Sequence, residues 1–272
     1  MTGVRRVALV SGGGRGVGRA AVLALAASGW DVAINCRRDR EAADATAESA
    51  RTLGATATVH VAGVEDAAAD EAMVGDVLDR HGRLDGLVHS AGNASRGHHV
   101  TDTDPAELHK LFDVHAAAAH HLARLTVPHM RAQGGGSVVL VSRIVARATR
   151  PGMAPYVMAK AALEALGVTL AMEERPNHVR CNIVAPGLVA TEMGDRLIRA
   201  TQGRDVAADL DDIAPFGHVC RPEEVGSVIA FLMSDEASYV TGQTIAVDGG
   251  ESWGWWGPPP QPVDPPRPGG TS

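Results

Sequence analysis

The segment that most constrains what this chain can fold into is VALVSGGGRGVGRAAVLALAAS, running from Val7 to Ser28. A short apolar run, Val7 to Val10, feeds straight into glycines, and an alanine-rich helical stretch follows from Arg19 to Ser28. Strand, glycine loop and helix in that order predict a phosphate-binding turn. Glycines let the backbone turn tightly and approach a pyrophosphate, while the helix start offers free N–H groups and a partial positive charge. Taken alone the loop reads equally well as a glycine-rich turn that binds nothing. Its place after the first strand and before a helix favours the nucleotide. The glycines at Gly12, Gly16 and Gly18 depart in spacing from the G-x-G-x-x-G fingerprint.

The same alternation continues along the chain. Short apolar runs at Asp31 to Cys36, Thr56 to Val61, Leu84 to His89, Val138 to Val141, Val179 to Val184 and Gln243 to Val247 read as strands. Between them lie helical tracts at Glu65 to His81, Pro105 to Arg131, Pro155 to just before Pro176, Met193 to Ala200 and Pro222 to Ser234. This pattern predicts a doubly wound α/β three-layer sandwich with one parallel sheet of about seven strands. Residues 1–250 are expected to form one domain, and the Trp/Pro/Gly-rich remainder, 251–272 with Trp253, Trp255 and Trp256, an extended or disordered tail.

Composition removes several function classes. A formal charge of -7 with dispersed Lys and Arg gives no electrostatic footprint for nucleic acid. No apolar run reaches membrane-spanning length and the N-terminus lacks a signal-peptide pattern, so a cytoplasmic protein with no membrane partner is expected. Cys36, Cys181 and Cys220 are odd in number and far apart, which suits reduced thiols. The histidines at His98, His99, His120 and His121 lack a carboxylate or cysteine at ligand spacing, so no metal is expected.

The stretch SVVLVSRIVARATRPGMAPYVMAKAA, Ser137 to Ala162, carries the candidate chemistry. Tyr156 and Lys160 lie four apart on one helix and point from one face. An ammonium beside a phenol stabilises the phenolate and makes the phenol a usable proton donor. Y-x-x-x-K is short, and on its own it describes many surface helices equally well.

Together with SGGGRGVG at Ser11 to Gly18, HSAG at His89 to Gly92, APG at Ala185 to Gly187 and VDGG at Val247 to Gly250, the Tyr156/Lys160 pair makes the chain resemble the short-chain dehydrogenase/reductase family. The resemblance runs in register from about Arg5 to about Gly250. It implies a Rossmann-type domain that passes hydride between a nicotinamide dinucleotide and a small carbonyl or alcohol, with Tyr156 as general acid/base and Lys160 holding the cofactor ribose. Cofactor contacts are implied at Ser11, Gly12, Arg15, Gly16, Val17, Gly18, Ser90, Ala91, Gly92, Pro186, Gly187, Val189 and Thr191. A substrate lid is implied at about 188–215, and a homotetramer or homodimer as the assembly.

No acid occupies the expected place near Cys36, and Arg37 and Arg38 follow it, with Arg15 close by in the loop. An arginine there favours a 2′-phosphate, so NADP(H) is expected over NAD(H), with Arg37 favoured over Arg38. Four stretches of the chain depart from the family pattern. Gly63 stands where an adenine-binding aspartate is usual, and His89-Ser90 replace two asparagines. His115 takes the place of an asparagine in a proton relay, where an imidazole titrating near neutrality could substitute or simply pack. Arg143 lies thirteen residues before Tyr156, where the substrate-orienting serine belongs, with Ser142 as its neighbour. An inward Arg143 would polarise a carbonyl or pair with a substrate anion. An outward one would leave the oxygen site a single donor, and the sequence leaves both open. Two other readings therefore stand beside the reductase: nonredox chemistry in the same pocket, such as dehydration, cyclisation or isomerisation, and a structural subunit of a hetero-oligomer.

Overall fold

A computed structural model describes residues 5–147, 149–214 and 216–250. The tail, 251–272, with its three tryptophans lies outside the described residues. Strands β1 (Val7–Ser11), β2 (Asp31–Cys36), β3 (Ala57–Val61), β4 (Gly86–His89), β5 (Gly136–Val141), β6 (Val179–Pro186) and β7 (Thr244–Val247) form one sheet in the order β3-β2-β1-β4-β5-β6-β7. Every neighbouring pair is parallel. The helices are α1 (Gly16–Ala27), α2 (Arg40–Thr52), α3 (Ala67–His81), α4 (Pro105–Phe112), α5 (Ala118–Ala132), α6 (Ala154–Glu174), α7 (Glu192–Gln202) and α8 (Pro222–Met233).

Alternation along each buried strand divides the core into two layers. Ala8, Val10, Val139 and Val141 pack with α1, α2 and α8 on one face, while Val7, Leu9, Val138 and Leu140 pack with α3, α5 and α6 on the other. A sheet covered on both sides needs apolar residues at successive positions, which is why its strands read as continuous runs. α1 and α8 approach closely enough that a Cβ on Gly226 would lie 2.7 Å from the Ala20 carbonyl oxygen.

Order reverses at β1, whose neighbours β2 and β4 lead the chain in opposite directions. Ligands of open α/β sheets bind beyond the strand ends at such a reversal. There the glycine loop meets the turn after β4, since a Cβ on Gly12 would stand 2.9 Å from Ala91 Cα.

The helical tract expected from Pro105 to about Arg131 is present as α4 and α5, with one irregular turn between them. Residues Asp113–Ala117 form a π-turn between α4 and α5. A π-turn accommodates one more residue per turn and redirects the side chains it carries. The polar stretch after Thr191 folds into α7 and a 3-10 segment, Ala207–Ile213, around a small core of Leu188, Ile198, Leu210 and Val219.

Candidate active site

Tyr156 and Lys160 rise from α6 to the C-terminal edge of the sheet, and both are buried. The Tyr156 ring packs in an apolar cluster with Leu111, Ile144, Val145, Ala159 and Ala185. Lys160 Nζ donates to the Val141 carbonyl at 2.7 Å, at the end of β5, and lies 5.7 Å from the Tyr156 ring centroid. Burial pushes the Lys160 pKa down to about 7, helped by the nearby Arg143 charge and opposed by Glu164.

The Arg143 charge acts on both Tyr156 and Lys160, so its guanidinium faces inward. Burial raises the Tyr156 pKa, while the charge and hydrogen bond of Arg143 lower it in part. Arg143 Nε is buried and has no hydrogen-bond partner among the described residues.

Ser142 takes a different direction, which corrects its reading as a catalytic candidate. Its hydroxyl donates to Glu164 Oε1 at 2.7 Å, because successive residues leaving a strand point to opposite sides. The second Glu164 oxygen accepts from Arg147 Nε at 2.9 Å. Glu164, one turn beyond Lys160, was the residue the motif missed. Its signal was present as the continuation of Tyr156 and Lys160 at the same spacing of four.

His115, carried on the π-turn, packs edge-on against Tyr156 with ring centroids 5.2 Å apart. Its Nε2 lies 2.9 Å from the Asn93 carbonyl and 3.3 Å from the Asn93 N–H, and its buried Nδ1 has no partner among the described residues. Burial, with Lys160 and His89 beside it, pushes its pKa down to about 2. The expectation that this imidazole titrates near neutrality is thereby corrected: it stays neutral. Gly92 is required by this packing, since a Cβ there would collide with the imidazole.

His89 joins β1 to the π-turn. Its Nδ1 meets Ser11 Oγ at 3.0 Å and its Nε2 meets the Val114 carbonyl at 3.2 Å. Ser11 Oγ in turn accepts from the N–H groups of Ser90 and Ala91 at 3.1 and 3.2 Å. The Ser11 hydroxyl is therefore engaged inside the fold.

The dinucleotide side is built from the glycine loop. Gly12 and Gly16 adopt positive φ of 66° and 51°, and a Cβ on Gly18 would collide with the Gly12 carbonyl. Val17 lies half-buried in the first turn of α1, against the core. α1 has no capping side chain and no acid in its first turn, whereas α2, α3, α4 and α7 are capped by Asp39, Asp66, Asp104 and Thr191. This leaves its N–H groups for an anionic ligand, and the loop fits a pyrophosphate. Thr191, its hydroxyl engaged by Gly194 N–H at 3.1 Å, lies with its methyl 3.3 Å from where a Gly16 Cβ would be. Pro186 ends β6, Gly187 N–H bonds the Val247 carbonyl at 3.0 Å, and Val189 is buried in the core.

Three arginines gather beside the end of β2. Arg15 pairs with Glu192 at 3.1 Å and Asp39 at 3.5 Å. Arg37 pairs with Glu65 at 2.8 Å, and exposed Arg38 has no side-chain partner among the described residues. The Glu65 carboxylate lies 3.1 Å from where a Gly63 Cβ would be. An acid two residues later thus folds back over the position where the family's aspartate is missing.

The comparisons agree with this geometry. A family model described as enoyl-(acyl carrier protein) reductase matches residues 12–252. The human "dehydrogenase/reductase SDR family member 4" is 34% identical over 247 residues, covering 90% of this chain and 87% of that one. The Staphylococcus aureus "3-oxoacyl-[acyl-carrier-protein] reductase FabG" is 32% identical, covering 89% and 96%. Among solved structures, levodione reductase superposes with a TM-score of 0.86 at 29% identity, covering 92% of this chain and 98% of that one. NAD+-bound xylitol dehydrogenase superposes with a TM-score of 0.83 at 27% identity, covering 90% and 98%. With a parallel sheet that reverses order at β1, a glycine loop at that reversal and relatives matched over nine-tenths of its length, the chain belongs to the short-chain dehydrogenase/reductase family of oxidoreductase enzymes.

Proposed function

We propose that this enzyme transfers hydride between NADP(H) and a small carbonyl or alcohol, with Tyr156 as the proton donor and acceptor. The observation that carries the reading is a buried phenol one helical turn from a buried Lys160, with the Arg143 charge acting on both. The bound dinucleotide supplies or accepts the hydride. Tyr156 gives its proton to the developing alkoxide in reduction and removes it in oxidation. Arg143 takes the place of the usual serine as the second donor to the reacting oxygen, a kind of contact worth about a hundredfold in rate. Lys160 holds a ribose hydroxyl and lends charge to Tyr156. His115, neutral and packed against the phenol ring, fixes its position.

The choice of NADP(H) rests on Arg37, Arg38 and Arg15 around the end of β2; the pairing of Arg37 with Glu65 moves the preference from Arg37 to Arg38, which has no side-chain partner among the described residues. Residues 1–250 are read as one functional unit, 188–215 as its lid, the assembly as a homodimer or homotetramer and the location as cytoplasmic. Among the described residues no helix is long and apolar enough to cross a membrane.

Calorimetric titration should give NADPH a Kd at least about tenfold below that of NADH, the value of one good charge contact to a phosphate. Arg38→Ala should narrow that gap. Tyr156→Phe should keep cofactor affinity and lose about a hundredfold or more in kcat. NADPH binding with no turnover of any carbonyl would instead favour the nonredox reading, which the engagement of Ser142 by Glu164 supports.

A further inference from the structure

We propose that the tail of this chain docks on its own domain, with indoles of the Trp253–Trp256 segment seated in a cavity between the 188–220 stretch and the end of β7. This goes beyond the reductase reading and does not depend on it, because neither Tyr156 nor Lys160 is among the described residues that line the cavity.

The cavity is the first observation. Its volume is about 490 Å³, inside the range of roughly 300–1,000 Å³ of pockets that enclose a drug-sized molecule. Leu188, Leu210, Ala214 and Val219 line it from the 188–220 stretch, and Ala246 and Val247 from β7. Two polar lining residues are committed to neighbours. His218 meets Glu224 Oε1 at 2.9 Å and the Phe216 carbonyl at 3.2 Å, and Glu224 Oε2 accepts from the Arg221 N–H at 2.7 Å. Two large apolar lining residues instead face water, Phe216 at 77% exposure and Ile213 at 38%. Such a lining calls for an apolar occupant, and the Phe216 ring favours an aromatic one.

The second observation is where the described chain stops. Gly249 and Gly250 line the same cavity, and both adopt positive φ, 61° and 90°. Glu251 and Ser252 come next, followed by Trp253, Trp255 and Trp256, three of the four tryptophans of the chain. No aromatic residue follows them. Three residues span at most about 11 Å, so Trp253 lies no farther than that from Gly250 in the cavity lining. A tether this short holds the first indole at an effective concentration on the order of millimolar. A second copy of the chain, or a free aromatic molecule, would have to compete against that tether. An indole touching both sides would clasp the 188–220 stretch to the sheet.

The test reads tryptophan accessibility in the full chain by acrylamide quenching. Trp30, the fourth tryptophan, is only 3% exposed, so the readily quenched emission comes from the tail. Burial of one large apolar side chain is enough to keep the undocked fraction below about one tenth. Ala246→Phe fills the cavity from an exposed position on β7 and should raise quenching of the tail by about tenfold. A wild-type tail quenched as readily as that of Ala246→Phe overturns the proposal. A thiol placed in the tail then shows which chain supplies it. In Trp253→Cys or Trp255→Cys, mild oxidation should join the new thiol to the half-exposed Cys220 of the lining within one chain, since Cys36 and Cys181 are buried. A disulfide closes only where the two Cα atoms come within about 7 Å. Non-reducing electrophoresis and peptide mapping read the product. A disulfide-linked dimer would assign the cavity to a second copy, and no disulfide in either variant would leave the tail elsewhere; both outcomes overturn the proposal. Circular dichroism shows whether Ala246→Phe folds, and the disulfide decides by itself where it does not.

Discussion

Glu164 shows how a single side chain organises a site it does not touch. With one oxygen it holds Ser142 and with the other Arg147, and through space it raises the pKa of Lys160. Glu164→Gln keeps the shape and removes the charge. It is expected to lower the Lys160 pKa further, so that the loss of the ammonium begins below pH 7 and the alkaline limb of the pH–rate profile for reduction moves to lower pH. A Tm loss of about 1–3 kcal/mol equivalent should accompany it, because hydrogen bonds to a buried charged group are replaced by weaker ones. An unchanged alkaline limb would show that Glu164 is only structural. At this scale the sequence spoke unevenly. Tyr156, Lys160 and the loop glycines were legible because their chemistry and spacing are local. The direction of Arg143 against Ser142, the return of Glu65 over Gly63 and the use of His89 as an internal tie were not, since each depends on a partner at least one element away.

Among elements, the π-turn at Asp113–Ala117 has the largest consequence for the site. The sequence from Pro105 onward keeps an apolar spacing of three and four, which predicts one long helix; a single extra residue in one turn leaves that spacing almost intact on either side. What the turn gains is the placement of His115 against both Gly92 and Tyr156. Gly92→Ala would force the imidazole aside at a cost of about 1–3 kcal/mol, typical of overpacking. Kinetically, kcat should fall more than cofactor affinity, as measured by stopped-flow turnover and calorimetry on the same preparation. α3 presents a different case. Asp70 on its first turn is fully buried, with neither carboxylate oxygen partnered among the described residues, and its pKa is raised to about 7 by burial and by Asp66 and Glu65. The folded chain therefore keeps a proton that the unfolded chain releases from about pH 4 upward, and stability is lost as pH rises toward 7. Asp70→Asn should raise Tm at pH 8 and change it little at pH 4, where both states are protonated; an equal gain at both pH values would contradict this account.

For the molecule as a whole, the alternation of strand and helix was readable from end to end, because a sheet buried on both faces demands unbroken apolar runs. The order of strands was not, since nothing local in a strand names its neighbour. Acid stability is also a property of the whole. Burial pushes His89 down to about 3 and His115 down to about 2, both below the ordinary value of 6.5. Unfolding lets both rings take up protons that the fold refuses, so the stability present above pH 6.5 drains away as pH falls below it. Thermal unfolding followed by circular dichroism should show Tm dropping steeply between pH 6.5 and 5, and a flat profile there would place protonation inside the fold. The first helix gives the last consequence. Its amino end begins without a capping side chain, unlike those of α2, α3, α4 and α7. That end behaves as half of a joint whose other half arrives from solution, so occupancy and cohesion become one measurable quantity. A dinucleotide supplied at about a hundred times its Kd would tighten the whole scaffold by about 2.7 kcal/mol, and cells short of it would hold a looser, shorter-lived protein.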